Sequence, residues 1–378
     1  MINDTLSSDF EVKSRQHRPN AGINYEGDVW RVDTNIGLLN TTLENNNFLS
    51  ETSFNNSYNN LYVRARVRYE VERSKSLSID YSTDANVPSL RQLQPVVDRT
   101  NPNNIVTGNP NLRPSYSHNI RAGYRNFDFS KRSGIFSYFN MSFTENSVVA
   151  RTITDTTDFS RTTTYTNVDG AMSANLGIFY NKQKKNDNSE FRYRLSLNGR
   201  YDKNVGFSNE EKFNSENVTI EPRVRFTYAI DDVIELNPNI GIEYNNSSYS
   251  INTLNDQEFV NQRAGIEVTT YWPKNVVFGN DISYNKFGNV SSEFDNTSIM
   301  WITSLGYQFW NEKANIKLKV YDVLDQVINT RRQIGGDYIQ DVDNLVLEQY
   351  AMLSFTYNLK NFGGQSFGGR GGRRGPPR

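Results

Sequence analysis

The chain has 378 residues, and its 41 basic and 42 acidic side chains leave a net charge of −1, so no bulk electrostatic partner is indicated. It contains no Cys and only two His, which excludes a disulfide framework, a thiolate site and a histidine metal cluster. Only 36% of the residues are apolar, yet 13% are aromatic and these recur regularly, which favours a fold with polar side chains inside as well as outside.

The N-terminal sequence MINDTLSSDF has neither the basic nor the apolar region of a signal peptide, and no run of 18 apolar residues predicts a transmembrane helix. Beyond it, apolar side chains recur with period two. In residues 61–72, apolar side chains alternate with Arg64, Arg66, Arg68 and two Glu. Helical spacing would scatter these sets around a cylinder, so the pattern predicts strands.

About fifteen such segments occur, most of them of about 10–16 residues, which is longer than the usual globular strand of about 5–6. A tilted membrane-spanning strand needs about 9–11 residues. The segments begin near residues 20, 29, 61, 75, 117, 134, 170, 190, 214, 233, 258, 275, 297, 313 and 346. Their length predicts an all-β, antiparallel transmembrane β-barrel.

Short and long connections alternate along the chain without a break. Short ones are expected at residues 27–28, 73–74, 130–132, 184–188, 231–232, 273–274 and 311–312, and long ones at 41–60, 84–116, 149–169, 206–213, 249–257, 289–296 and 323–345. Barrels of the bacterial outer membrane have this arrangement, with tight periplasmic turns and long external loops. Aromatic residues close to the short turns fit an interfacial girdle: Trp30, Tyr271, Trp272, Phe309 and Trp310.

The parity of the strands leads to a second expectation. The first and the last visible strands both run inward from the long-loop side, and an odd number of strands cannot close such a barrel. At least one strand is therefore expected upstream, so we interpret the chain as the C-terminal part of a larger protein.

The connection at residues 84–116 is the longest, and the stretch around it holds five of the eleven prolines. Proline fixes φ and donates no backbone N–H, so this stretch is predicted to be a stiffened loop without strand or helix. Binding residues concentrate on loops that rigid scaffolds hold. The loop offers five candidate ligand contacts: Arg91, Gln94, Arg99, Arg113 and Tyr116. The alternative is that it folds over the barrel mouth and only packs there.

The segment Gly108-Asn109-Pro110-Asn111-Leu112-Arg113-Pro114 resembles a signature loop of outer-membrane β-barrel proteins related to TonB-dependent receptors. Its structural positions would be Gly108, Asn109, Pro110, Leu112 and Pro114, and Ser115 stands where the family usually has Glu. The resemblance implies part of a barrel of about 22 strands with a plugged lumen. It also implies outer-membrane lipid, a plug domain and a TonB-type energy-coupling protein as partners, the last two through an upstream part.

Two functions remain open at this point. The first is TonB-dependent uptake of a scarce nutrient across the outer membrane of a Gram-negative bacterium, and the second is a non-transporting surface barrel, an adhesin or a scaffold. A passive porin is a weaker third. The substrate cannot be read from the loops.

Residues 1–360 are expected to form the barrel portion, and residues 361–378 a flexible Gly/Arg-rich tail. The tail resembles RNA-binding RGG segments, but no other part of the chain indicates nucleic acid. A G-x-S-x-G match at residues 364–368 lies in this tail, away from the strand-to-helix turn that hydrolases need, so no enzyme activity is expected. No cofactor and no metal site are predicted either. Asp337, Asp341 and Asp343 do not fit an EF-hand loop and are better explained as solvated carboxylates.

The arginines of the polar strand faces are expected to pair with carboxylates of neighbouring strands. The sharper alternative is that they grip a plug or an anionic solute.

Overall fold

The structure is a computed structural model of the chain. It describes residues 9–48, 51–98, 101, 103–155, 157–158, 160–288, 295–310, 313–327, 330–334, 339–343 and 347–358. The predicted Gly/Arg-rich tail lies outside these residues, as do Arg99 and Asp337 and the side chains of Asp341 and Asp343.

Long antiparallel strands make up most of the described chain. The first eight of the meander are β1 (Phe10–His17), β2 (Asn20–Glu26), β3 (Trp30–Asn47), β4 (Thr52–Glu72), β5 (Lys75–Asn86), β8 (Ser115–Asp128), β9 (Ser133–Glu145) and β12 (Ala171–Lys185). The rest are β13 (Ser189–Ser208), β14 (Glu211–Ile230), β15 (Ile234–Tyr249), β16 (Gln257–Thr270), β17 (Val276–Lys286), β18 (Thr297–Phe309), β19 (Ala314–Tyr321) and β22 (Tyr350–Tyr357).

Smaller elements occupy three of the long connections. They are α1 (Leu90–Leu93), β6 (Val97–Asp98), β7 (Asn104–Thr107), β10 (Ser147–Thr154), β11 (Arg161–Val168), β20 (Thr330–Ile334) and β21 (Ile339–Asp343). No helix in the described part of the chain is long and apolar enough to cross a membrane.

Each strand of the meander pairs with the next one along it, so the order in space follows the order in sequence. Strands β1 and β2 both pair with β3 and so form one interrupted strand. This gives fifteen strand runs and confirms the predicted segments. Within the described ranges, β22 does not pair with β1 or β2, so the sheet is not closed into a barrel.

The period-two pattern separates the sheet into two faces. Side chains such as Leu38, Leu61 and Ile79 are 57%, 54% and 47% exposed, although they are large and apolar. We call this side the apolar face, and the opposite side, which carries Arg64 and Asp80, the polar face. A sheet with one extended apolar face that no protein covers requires an apolar medium around it.

The predicted short connections are confirmed wherever the structure describes them. The turn between β4 and β5, for example, is Arg73-Ser74 alone. Aromatic residues stand at this rim: Trp30 packs on Tyr69 with ring centroids 4.6 Å apart, and Trp272 and Trp310 are exposed. The predicted turn at residues 311–312 lies outside the described residues.

Two of the predicted long connections are wrong. Residues 41–60 are largely strand, because β3 and β4 stay paired as far as Asn47 and Thr52. Likewise, β13 and β14 pair as far as Ser208 and Glu211, and the turn between them is closed by Asn209 and Glu210, both with positive φ. Residues 41–60 are rich in Asn and Ser, residues 206–213 are mostly polar, and both lose the alternation of apolar side chains, so the sequence pattern ends before the ladder of hydrogen bonds does.

Candidate functional site

The described part of the loop between β5 and β8 contains α1, β6 and β7, so the prediction that it has neither helix nor strand is wrong. Ser89 precedes the single turn of α1, and its backbone N–H donates to Oε1 of Gln92 at 2.8 Å, which is half of a capping box. Leu93 on this turn is fully buried. The prolines do not prevent these elements, because each described proline of the loop lies between elements rather than within one.

Gly108 meets the end of α1 so closely that only glycine fits. A Cβ at this position would lie 2.4 Å from the carbonyl oxygen of Gln94 and 2.8 Å from that of Arg91. The close approach lets the N–H of Gly108 donate to Gln94 at 3.0 Å and that of Asn109 donate to Gln92 at 2.6 Å. The first residue of the signature segment therefore joins the returning chain to the helical turn.

The next residues of the segment fix its direction and its neighbours. Oδ1 of Asn109 accepts from the N–H of Asn111 at 3.0 Å, and Nδ2 of Asn109 donates to the carbonyl of Tyr165 on β11 at 2.9 Å. The first contact is a side-chain turn of the kind that Asn favours. Leu112 is 1% exposed, and Pro114 is buried. Pro110 stands in the turn.

A single side chain on the neighbouring connection holds the segment in place. Oδ1 of Asn167 accepts from the N–H of Arg113 at 2.9 Å, and its Nδ2 donates to the carbonyls of Arg113 at 3.0 Å and of Asn146 at 2.7 Å. Asn167 thus joins three chain segments. The residues next to Asn167 in the sequence do not indicate this role, because its partners are distant in sequence.

Strands β10 and β11 form a hairpin between β9 and β12. The two strands of the hairpin exchange sides relative to β9 and β12. Below the crossing, β9 lies beside β8, and β12 lies beside β13. Above it, β10, which continues β9, touches β13, and β11, which leads into β12, pairs in parallel with β7. The exchange takes place at Asn146 and Gly170, both with positive φ, and the N–H of Asn146 donates to Oδ1 of Asp169 at 2.7 Å.

The result is a small sheet at the long-loop rim, which we call the rim sheet. Its strands are β6, β7, β11 and β10, in that order. The connection between β10 and β11 carries Asp158, where hydrogen bonds from Ser160 hold the pKa of the carboxyl below its usual range.

The ends of β5 and β8 bend towards the polar face of β3. Leu39, Ala85 and Tyr116 form a buried cluster with Tyr62 packed against it, and the hydroxyl of Tyr116 donates to the carbonyl of Leu61. By period two, Leu39 lies on the same face of β3 as Asp33 and Asn35, which is the polar face. Because Leu39 is buried against Ala85 and Tyr116, protein covers the polar face here. Nε2 of Gln16 also donates to the carbonyl of Ala85 at 2.9 Å.

The structure separates the predicted ligand contacts. Arg91 and Gln94 line a cavity of about 220 Å³ together with Val96, Val106 and Gly108. Arg113 is exposed while its backbone is held by Asn167. Tyr116 is 7% exposed and belongs to the buried cluster, so it lies apart from the other three. Ligand binding by this loop stays a prediction, and Arg99 lies outside the described residues.

Some arginines of the polar face form ion pairs, so the first of the two explanations holds for part of them. The carboxylate lies on the same strand, on the neighbouring strand or on the strand after it. Arg66 pairs with Asp80 of β5. Arg263 bridges Glu221 at 3.3 Å and Glu243 at 2.9 Å, and Arg223 also pairs with Glu221. No cluster of metal-ligating side chains occurs in the described ranges.

A family model described as "Outer membrane protein beta-barrel family" matches residues 3–357. The chain belongs to this family. It is accordingly a protein of the outer membrane of Gram-negative bacteria, with its apolar face towards lipid and its polar face towards the lumen. No curated protein matches the chain.

Among solved structures, the chain is similar to the ferric-catecholate import receptor Fiu of E. coli K12. With the open form it shares 11% identity over 93% of this chain and 64% of that chain, at a TM-score of 0.37. With the closed form it shares 10% identity over 93% and 62%, at a TM-score of 0.38. The chain therefore spans less than two thirds of the Fiu structures.

A second similarity is to OccK2 (OpdF) of Pseudomonas aeruginosa in complex with glucuronate. The identity is 9% over 93% of this chain and 97% of that chain, at a TM-score of 0.28. Likenesses as distant as these show no shared activity.

One connected body lies at the long-loop rim. It consists of the ends of β5 and β8, the loop between them and the rim sheet. We call this body the cap. Its members are tied by backbone hydrogen bonds and by the side chains of Asn109 and Asn167, and Leu93 and Leu112 are buried within it.

Proposed function

We propose that this protein is the barrel portion of a TonB-dependent uptake system that imports a scarce solute across the outer membrane. The observation that carries the proposal is the cap. It is built on the signature segment that resembles TonB-dependent receptors, and it is anchored to the polar face of the sheet at the long-loop rim.

The physical argument starts from the lumen. A polar lumen between two aqueous compartments supports passage of a polar solute, and side chains on an ordered cap can select it at the entrance. Arg91, Gln94 and Arg113 are the described residues of the predicted set that would contact the solute there. A cap that narrows the entrance lowers the rate at which solutes diffuse through a passive pore. An energy-driven uptake system does not depend on that rate in the same way.

The proposed partners follow from the same hypothesis. They are outer-membrane lipid on the apolar face, a plug domain within the lumen, and a TonB-type protein that couples transport to the inner-membrane proton gradient. We further propose that the protein is not an enzyme and uses no cofactor, since the G-x-S-x-G match at residues 364–368 lies in the Gly/Arg-rich tail and a chain without Cys has no thiolate nucleophile.

The test uses the full-length gene in its native cell. A deletion strain and its complemented parent are grown in a defined medium, and the loss of each solute from the medium is followed by mass spectrometry. We expect at least one solute whose removal needs the gene and stops when the proton gradient is dissipated.

Two outcomes would replace this proposal. If uptake persists without the proton gradient, the protein is a passive channel. If deletion changes no uptake but removes a surface partner or an attachment phenotype, the barrel is an adhesin or a scaffold.

A further inference from the structure

A polar cavity of about 340 Å³ lies on the polar face, where β3, β4, β5 and β8 run side by side. One lateral row of it consists of Asn35, Arg64, Ser82 and Asn119, which are paired in register across the four strands. The row presents amide, guanidinium and hydroxyl donors, and it contains no carboxylate. We call it the donor row.

The adjacent row contains the acidic residues of the cavity, which bond to Arg66 of their own row and to the amide of Asn35 in the donor row. Asp80 bonds to Arg66, and Asp33 accepts from Nδ2 of Asn35 at 3.0 Å. Arg121 lies opposite Asp80 in the register. Within the described ranges, neither Arg64 nor Arg121 has a carboxylate within ion-pairing distance. Three arginines therefore face two aspartates, and the cavity keeps a net charge of +1.

Six strands further along the meander, two arginines of the same face form ion pairs. On β14, β15 and β16, Arg223 and Arg263 share Glu221, and Arg263 also reaches Glu243. Two arginines are matched there by two carboxylates. Arg64 and Arg121 differ from these paired arginines, although Arg225 of the same face also has no ion pair among the described residues.

We propose that this cavity binds an oxyanion group, a carboxylate or a phosphate, of a solute in the lumen. A guanidinium presents a planar set of N–H donors that matches both groups, and such charge-assisted hydrogen bonds are stronger than neutral ones. Ser82 and Asn119 supply neutral donors beside them. That the anion is also the imported solute rests on the proposed function, whereas binding itself does not.

The experiment measures binding to the full-length protein, purified from the outer membrane in detergent micelles, by isothermal titration calorimetry. Glutarate and inorganic phosphate serve as probes, and glutaramide, which has the same carbon skeleton without charge, is the neutral control. We expect saturable binding of at least one anion and none of glutaramide. The anion that binds more tightly distinguishes a carboxylate ligand from a phosphate ligand.

The variants are Arg64→Gln and Arg121→Gln, and each should weaken binding about tenfold or more, since each removes a charged donor. Arg225→Gln is the matched control, because Arg225 is an exposed arginine of the same face on β14, outside the cavity. It should bind as the parent does. Ser82→Asp adds a carboxylate to the donor row while keeping both arginines, and it should abolish binding.

Three results would overturn the inference. They are the absence of saturable binding by the parent chain, an equal loss in Arg225→Gln, and unchanged binding in Ser82→Asp. Because the titration involves no proton gradient and no partner, its failure leaves the proposed uptake untouched. A failure of the uptake test leaves the anion site untouched in turn.

Discussion

Gly108→Ala should loosen the cap without unfolding the sheet. The added Cβ would lie 2.4 Å and 2.7 Å from the carbonyl oxygen and the nitrogen of Gln94. Both are backbone atoms of a segment that buries Leu93, so neither can move without uncovering that side chain. Overpacking of this kind costs about 1–3 kcal/mol. Loss of one of the two hydrogen bonds from Gly108 and Asn109 adds about 1 kcal/mol.

The total of about 2–4 kcal/mol raises the population of the locally open state of the cap about 30- to 1,000-fold. Hydrogen exchange followed by mass spectrometry of the full-length protein in detergent measures this directly, because peptides covering residues 90–112 should lose protection by that factor. Peptides from β13 and β14 should not change.

Gly199→Ala is the control for this substitution. The nearest atom to a Cβ at Gly199 is Cβ of Leu176, at 3.9 Å, which is an ordinary contact. Exchange in that variant should match the parent everywhere. If Gly108→Ala also leaves the protection of residues 90–112 unchanged, the close approach to α1 is not the reason for glycine at this position.

Two further predictions concern the cap and its orientation. Asn167→Ala removes three hydrogen bonds to Arg113 and Asn146, each worth about 1 kcal/mol. Limited proteolysis within residues 155–160 should therefore be at least tenfold faster than in the parent. An unchanged rate would mean that Asn167 does not hold the segment in place. In the full-length protein on intact cells, Asn111→Cys should react with a membrane-impermeant maleimide, and Asp231→Cys only after the outer membrane is opened. The reverse pattern would place the cap in the periplasm.

The strands were predictable because their signal is local. Alternation at residues 61–72 and the two-residue turn at Arg73-Ser74 define β4 and β5 without reference to any other part of the chain. Where the alternation stops, as in the Asn-rich residues 41–60, the prediction failed although the strands continue. There the backbone ladder and the partner strand maintain the structure, and neither is visible in one segment.

The cap could be predicted only in part. The sequence indicated a stiff loop with a glycine at its return, because prolines and the signature segment are local features. The crossing of β10 and β11, the parallel pairing of β7 with β11 and the role of Asn167 depend on residues about 54 positions apart. Tyr116 was predicted as a ligand contact because nothing in its neighbourhood shows that Leu39 and Ala85 bury it.

By itself, the sequence determined the class of fold, the side of each strand that faces lipid and the places of the short turns, because each of these follows from side chains at period two and from short turn motifs. Only the tertiary structure decided which arginines of the polar face have partners. The sequence places Arg64, Arg66 and Arg68 at equivalent alternate positions, but the register with β5 sets Arg66 opposite Asp80 and Arg64 opposite Ser82. Ion pairing depends on distances between strands, and those distances are fixed only when the strands come together.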